Sequence, residues 1–382
     1  MTRVTMVLAM ASLVLVSALP AAAADKVTVT AKNDLDLARP GETICVAAKD
    51  LGGLKPDGVV VRMGEETFVS QAVDNDADGA ADCLVFQADF AANESKTFTI
   101  AAGAAPQVPS KVFGRFVPER MDDFAWENDR IAFRTYGPAL RKELVSSGID
   151  VWVKRVRTLV IDKWYRDDLS KKASYHKDSG EGCDCYTIGK ARGCGGTGIW
   201  ADGKLYVGEN FKTWKVLANG PVRVMFELTY APWDAAGDKV SEVKRITLDA
   251  GSNLNRVQST FTSEKKAAEL PVAIGLFTHD KAGKSAMNKK EGWMSRWGAG
   301  EKGAGNMGTG VVIDPAIVTD MVPGPDNNIL AVIKAASGKP VTYYVGAGWD
   351  RSGDFADGKA WDAYLAAAAK RVASPIKVQV AK

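Results

Sequence analysis

Apolar and polar residues alternate over short runs along most of the chain. Between 25 and about 108, such runs occur at Val27–Val29, Ile44–Val46, Val59–Val61, Leu84–Phe86 and Phe98–Ile100, separated by Pro-Gly and Asp-Gly breaks. Alternation at period two places successive side chains on opposite faces of a strand, so this segment predicts a small β-sandwich. A Pro-containing, small-residue stretch, Ala101 to Ser110, follows and reads as a linker.

From 109 to 382 the same period continues in longer runs. Val222, Val224, Phe226, Leu228 and Tyr230 share one face, and similar runs lie at Val243–Leu248, Leu254–Phe261, Val272–His279, Gly310–Ile313, Leu330–Ile333 and Val341–Val345. Only Thr158–Leu169 and Lys359–Val372 carry helical patterns, and no strand–helix–strand rhythm appears. An all-β fold with a large antiparallel two-sheet sandwich and a few helices follows. The predicted units are 25–108 and 109–382.

The first 24 residues break the pattern. Arg3, an apolar stretch from about Val7 to Leu19 and the run Ala21–Ala24 form the three parts of a cleavable secretion signal, which predicts a periplasmic or secreted protein. No later stretch is apolar for long enough to span a bilayer as a helix. The formal net charge of +3, with Lys and Arg spread along the chain, argues against a nucleic-acid binder. In an oxidising compartment the five cysteines favour disulfides over metal sites; Cys45–Cys83 across the small sandwich and Cys185–Cys194 are the expected pairs, with Cys183 left over. A zinc set of His176 with Cys183, Cys185 and Cys194 is the competing reading.

Chemistry concentrates in the Gly-rich loop Tyr175-His176-Lys177-Asp178-Ser179-Gly180-Glu181 and the Cys-Asp-Cys segment after it. His176 is one of two histidines and a candidate general base or acid, against the alternative of a histidine that fixes a turn. The other, His279, ends an alternating strand and reads as a structural or ligand-binding residue. In Ile131–Tyr136, Ile131 and Phe133 share one face while Arg134 and Tyr136 share the other. If the first pair enters the core, Arg134 is placed to fork onto a carboxylate and Tyr136 to stack on a sugar or exchange a proton; a simple ion pair is the alternative. All 10 Trp and all 9 Tyr fall after residue 108, as a sugar-binding cleft would use them, although most Trp side chains fill cores. Trp126, Lys177, Asp178, Glu181, His279 and Trp349 are the candidate substrate contacts. Asp74, Asp76 and Asp78 have the alternating oxygens of a calcium loop, but Val85 stands where the usual twelfth-position Glu would be, so an Asx-rich hairpin turn competes. No cofactor is implied, and a divalent metal stays open.

The blocks FVPERMDDFAWENDRIAFRTYGPAL, DKWY, YHKDSGEGCDCY, GIWADGKLY and KRITLDAGSNLNRVQSTF, with DNDADGAADCLVFQADF in the small unit, resemble bacterial domain-of-unknown-function family 4861. The resemblance covers about 25–382. It implies a galactose-mutarotase-like supersandwich and carbohydrate processing beside enzymes that dismantle uronic-acid polysaccharides. The implied role is similar to an oligosaccharide dehydratase that removes water from a terminal uronic acid of an ulvan fragment.

That reaction is a β-elimination. It needs a cation to neutralise the sugar carboxylate, a base for the C5 proton and an acid for the departing oxygen. The sequence offers Arg134, His176 and Tyr175 or Tyr136 in that order. Two other classes compete. One is a non-catalytic carbohydrate-binding protein. The other is a glycoside hydrolase using two carboxylates among Asp122, Asp123, Glu127, Asp178 and Glu181.

Overall fold

The computed structural model describes residues 26–381, so the predicted secretion signal lies outside the described residues. Strands dominate, and the two α-helices are α1 (Ile161–Leu169) and α2 (Gly358–Ala373).

The small sandwich packs a three-stranded sheet (Arg39–Ala47, Cys83–Phe90, Ser70–Val73) on a five-stranded one. Its core is the alternating set read from the sequence: Val27, Val29, Ile44, Val46, Phe86, Phe98 and Ile100 are all buried. The final strand of the chain, Lys377–Ala381, adds antiparallel to Lys26–Lys32, so the described chain begins and ends in this one sheet. Pairing across that sequence distance leaves no local signal.

The large sandwich faces an eight-stranded antiparallel sheet against two five-stranded sheets lying side by side. These two are joined by a parallel bridge between Ile149 and Gly193. One continuous core fills the space between the layers, with Phe124, Trp126, Phe133, Val151, Phe226, Leu228, Ile274 and Val345 among its members. Burying this apolar area is the main stabilising term, at about 25 cal/mol per Å². Val224, Phe226, Leu228 and Tyr230 all point inward, as the alternation predicted. α2 covers part of the outer face of the eight-stranded sheet through Trp361 and Leu365. Among the described residues, no helix is long and apolar enough to cross a membrane.

The cysteine pairings are corrected. All five thiols are free. Cys45 and Cys83 lie on neighbouring strands of the same sheet rather than across the sandwich; Cys45 is opposite Val85, and the two thiols hydrogen-bond to each other without being bonded covalently. Cys185 points at Met307 (3.9 Å), whereas Cys194 donates to the Gly346 carbonyl (3.2 Å).

Candidate active site

The site is built on the outer face of one five-stranded sheet of the large sandwich, with strand order Gly182–Asp184, Ile149–Lys154, Ile131–Thr135, Asp123–Asn128, Val112–Val117. Ile131 and Phe133 enter the main core. Period two therefore turns Arg134 to the other face, beneath a cover made of α1 and the loop that carries Tyr175 and His176.

Register decides what Arg134 meets there. It stands directly opposite Asp150, and Trp152 on that same strand stands opposite Asp184. Arg134 donates to Asp150 through Nε (3.1 Å) and Nη2 (2.6 Å), to Asp184 through Nη2 (2.9 Å), and to the Tyr175 hydroxyl through Nη1 (3.1 Å). The rings of Tyr136, Trp152 and Tyr175 surround the guanidinium at 5.2 to 5.7 Å. Such contacts stabilise a cation removed from water. Arg134 is only 3% exposed. The expectation that it forks onto a substrate carboxylate is thus corrected, because its donors are committed to internal acids.

Burial and the neighbouring Asp184 push the Asp150 carboxyl up to about 8 despite Arg134. Burial also lifts Asp123, at the far edge of the cluster, to about 6 against the pull of Arg134 and Arg120. Two acids sharing one guanidinium in a dry site cannot both ionise cheaply.

His176 is the cluster's opening to solvent. Its Nδ1 lies 3.3 Å from Asp184 Oδ2, and its side chain is 38% exposed against 2% for Asp184. With the buried carboxylate beside Nδ1, Nε2 is the nitrogen left to act on a substrate. The loop is locked in place by a backbone bond from Asp184 N to the Tyr175 carbonyl (2.8 Å) and by stacking of Tyr175 on Trp152 at 4.7 Å. Gly182 closes the loop at φ +128, and a Cβ there would meet the Val153 carbonyl oxygen at 2.0 Å. Only glycine fits.

The structure therefore brings together Arg134, Tyr136, Tyr175 and His176. Burial raises the phenol pKa of both tyrosines, so both keep their protons. Tyr136 is 4% exposed and forms the back wall. Of the loop's other residues, Lys177 is exposed, Asp178 pairs with Arg155, and Glu181 accepts from Lys163 Nζ (2.6 Å) and Trp164 Nε1 (3.1 Å).

Three expected substrate contacts lie elsewhere. Trp126 is a fully buried core residue whose Nε1 donates to Asn255 (2.8 Å), and Trp349 is equally buried and donates to the Ala304 carbonyl (2.6 Å). Neither can touch a sugar, because both indoles fill the sandwich interior. His279 packs edge-on against Tyr186 at 5.0 Å, and burial holds its pKa below the ordinary histidine value.

The Asp74 loop behaves as a turn. The Asp74 carboxylate accepts from the backbone of Asp76, Ala77 and Gly79, and Lys215 Nζ sits 2.6 Å from the Asp76 carbonyl. Asp74, Asp76 and Asp78 do come close to one another, but these bonds already explain their geometry.

Sequence reasoning missed Asp150, Asp184 and Arg120. Each acid was visible as a carboxylate inside an apolar or Cys-flanked run, a pattern that requires a buried partner. Arg120 is 25% exposed, bonds Asp123 at 3.2 Å and lies near Arg134, Tyr165 and Tyr175.

Comparison with known proteins agrees with this architecture. A protein of Formosa agariphila, "Uncharacterized protein P7", is 34% identical over 373 residues, covering 92% of this chain and 93% of its own. An α-mannosidase from Enterococcus faecalis V583 superposes with a TM-score of 0.55 at 9% identity, over 94% of this chain and 46% of its own. A glycosyl hydrolase family 38 protein from Enterococcus faecalis gives 0.54 at 9% identity, over 94% and 48%. The chain spans about half the length of those two structures, and at such identity the likeness is one of fold. The family model described as Domain of unknown function (DUF4861) matches residues 31–378. On that near-complete match, the chain belongs to the DUF4861 family.

Proposed function

We propose that the protein is an exported carbohydrate-active lyase of the dehydratase type, acting on a terminal uronic acid by β-elimination at His176. The observation that carries this reading is the relay Tyr175–Arg134–Asp184–His176, linked by contacts of 3.1, 2.9 and 3.3 Å and open to solvent only at the imidazole. A buried carboxylate behind a half-exposed histidine is the arrangement of a positioned general base.

In the reaction, Nε2 of His176 takes the C5 proton, the electron pair forms the C4–C5 double bond, and the C4–O bond breaks. The imidazolium then hands that proton to the C4 oxygen, which lets the hydroxyl leave as water, while Tyr175, which keeps its own proton beneath the loop, braces Arg134 and the histidine ring. Arg134 is a positioning residue that holds Asp184 and Tyr175. Arg120 and the exposed Lys177 are the cations available for the sugar carboxylate.

The similarity in fold to an α-mannosidase supports a sugar ligand but not hydrolysis. Glu127 is sealed against Lys154, Asp178 pairs with Arg155, and Glu181 pairs with Lys163. Asp123 is buried against Arg120 as well, so of the five candidate carboxylates only Asp122 is left, and one carboxylate makes no pair.

Incubation with uronic-acid oligosaccharides tests the proposal. A product lighter by one water and absorbing in the near ultraviolet is expected. Products heavier by one water in total would establish hydrolysis instead, and binding without any product would establish a lectin-like role.

A further inference from the structure

A cavity of about 320 Å³ lies where the small sandwich meets the outer face of the eight-stranded sheet and the last turns of α2. Its walls include Gln87 from the small sandwich, Arg256 and Tyr344 from the sheet, and Tyr364 and Arg371 from the helix. Its size is that of a small-ligand site.

The charges are unequal. Of the two acids in the walls, Asp249 is held by both Arg223 nitrogens at 2.6 and 2.8 Å, and Glu42 lies 3.8 Å from Arg39. Arg256 and Arg371 have no ion-pair partner among the described residues. Two uncompensated guanidinium groups thus face one cleft.

Aromatic surface lies beside each of them. Arg256 is directly opposite Tyr344 in the strand register, and the Arg371 guanidinium lies 5.7 Å from the Tyr364 ring. Tyr364 is fixed by its hydroxyl, which accepts from Asn253 N (3.2 Å), and by stacking on Trp361 at 5.4 Å. Rigid half-buried rings next to forked cations suit a ring with an apolar face and an anionic substituent.

We propose that this cleft is a second, non-catalytic binding site for an acidic sugar unit, with Arg256 and Arg371 on its carboxylate or sulfate and Tyr344 and Tyr364 along its ring. The ligand class rests on the function proposed above; the residues are separate from it. Arg134 and Arg256 lie on opposite outer faces of the large sandwich. The cleft therefore holds a different stretch of polymer from the one being processed, and retains the protein on its substrate.

Calorimetric titration with tetragalacturonate, in a His176→Ala background that does not consume it, tests the site. Arg256→Gln/Arg371→Gln should weaken this binding event roughly tenfold or more, and Arg256→Lys/Arg371→Lys, which keeps the charge but not the fork, should restore only part of it. Neutral maltotetraose should not compete. Undiminished binding by a folded Gln double variant, equal binding of maltotetraose, or no binding of tetragalacturonate would each overturn the site. If the Gln variant loses binding while the native protein never forms an unsaturated product, the cleft stands and the catalytic reading falls.

Discussion

Asp184 reaches His176 Nδ1 at 3.3 Å from a position that is 2% exposed, while the imidazole itself looks into solvent. The same carboxylate takes a hydrogen bond from Arg134 at 2.9 Å. One buried acid thus ties the reactive group to the sheet beneath it. A histidine on a free loop would sample many orientations; this one is held from behind.

Asp184→Asn should therefore impair turnover without removing the base. The amide can present its NH₂ to Nδ1 and favour the wrong tautomer. A fall in kcat of about 10²-fold or more, with KM little changed, is expected. Equal losses in kcat and thermal stability would mark a purely structural role.

Arg134→Met should be costly to stability. Asp150 and Asp184 would be left buried around an apolar side chain, and breaking a buried pair in this way costs about 3–5 kcal/mol. Urea unfolding measures it.

Stability should also respond to pH through Asp150. Its carboxyl rises from 3.8 to about 8 on folding, so between those values the folded state binds more protons than the unfolded one. Stability from this group is present at low pH and is lost as pH rises through that window. In thermal melts, Asp150→Asn should gain on the native protein steadily from pH 4 to pH 8. A constant difference across the window would show that Asp150 is ionised throughout.

Much of the fold was legible because alternation is a local signal. The faces of Ile131–Tyr136 and of Val222–Tyr230 follow from sequence, as does the placement of Arg134 away from the core. The start of α1 was not. The sequence suggests Thr158, yet the helix opens at Ile161, where Glu127 accepts from the backbone of Val160 (2.7 Å) and Ile161 (2.8 Å). That cap comes from a distant strand, so no neighbouring residue announces it. The choice for Arg134 between a substrate fork and an ion pair was hidden for the same kind of reason. Its partners Asp150 and Asp184 reach it through strand register, and only register shows that its fork is already occupied. Trp126 and Trp349 looked like sugar platforms because composition cannot tell an inward indole from an outward one.

The central claim is that the imidazole of His176 removes a proton from an acidic sugar. The most direct measurement is near-ultraviolet absorbance, with mass analysis, of a uronic-acid oligosaccharide incubated with the native protein and with His176→Ala. The account predicts a product lighter by one water from the native protein and a loss of about 10²–10⁴-fold in its rate of formation for the folded variant. Undiminished formation by His176→Ala would contradict it.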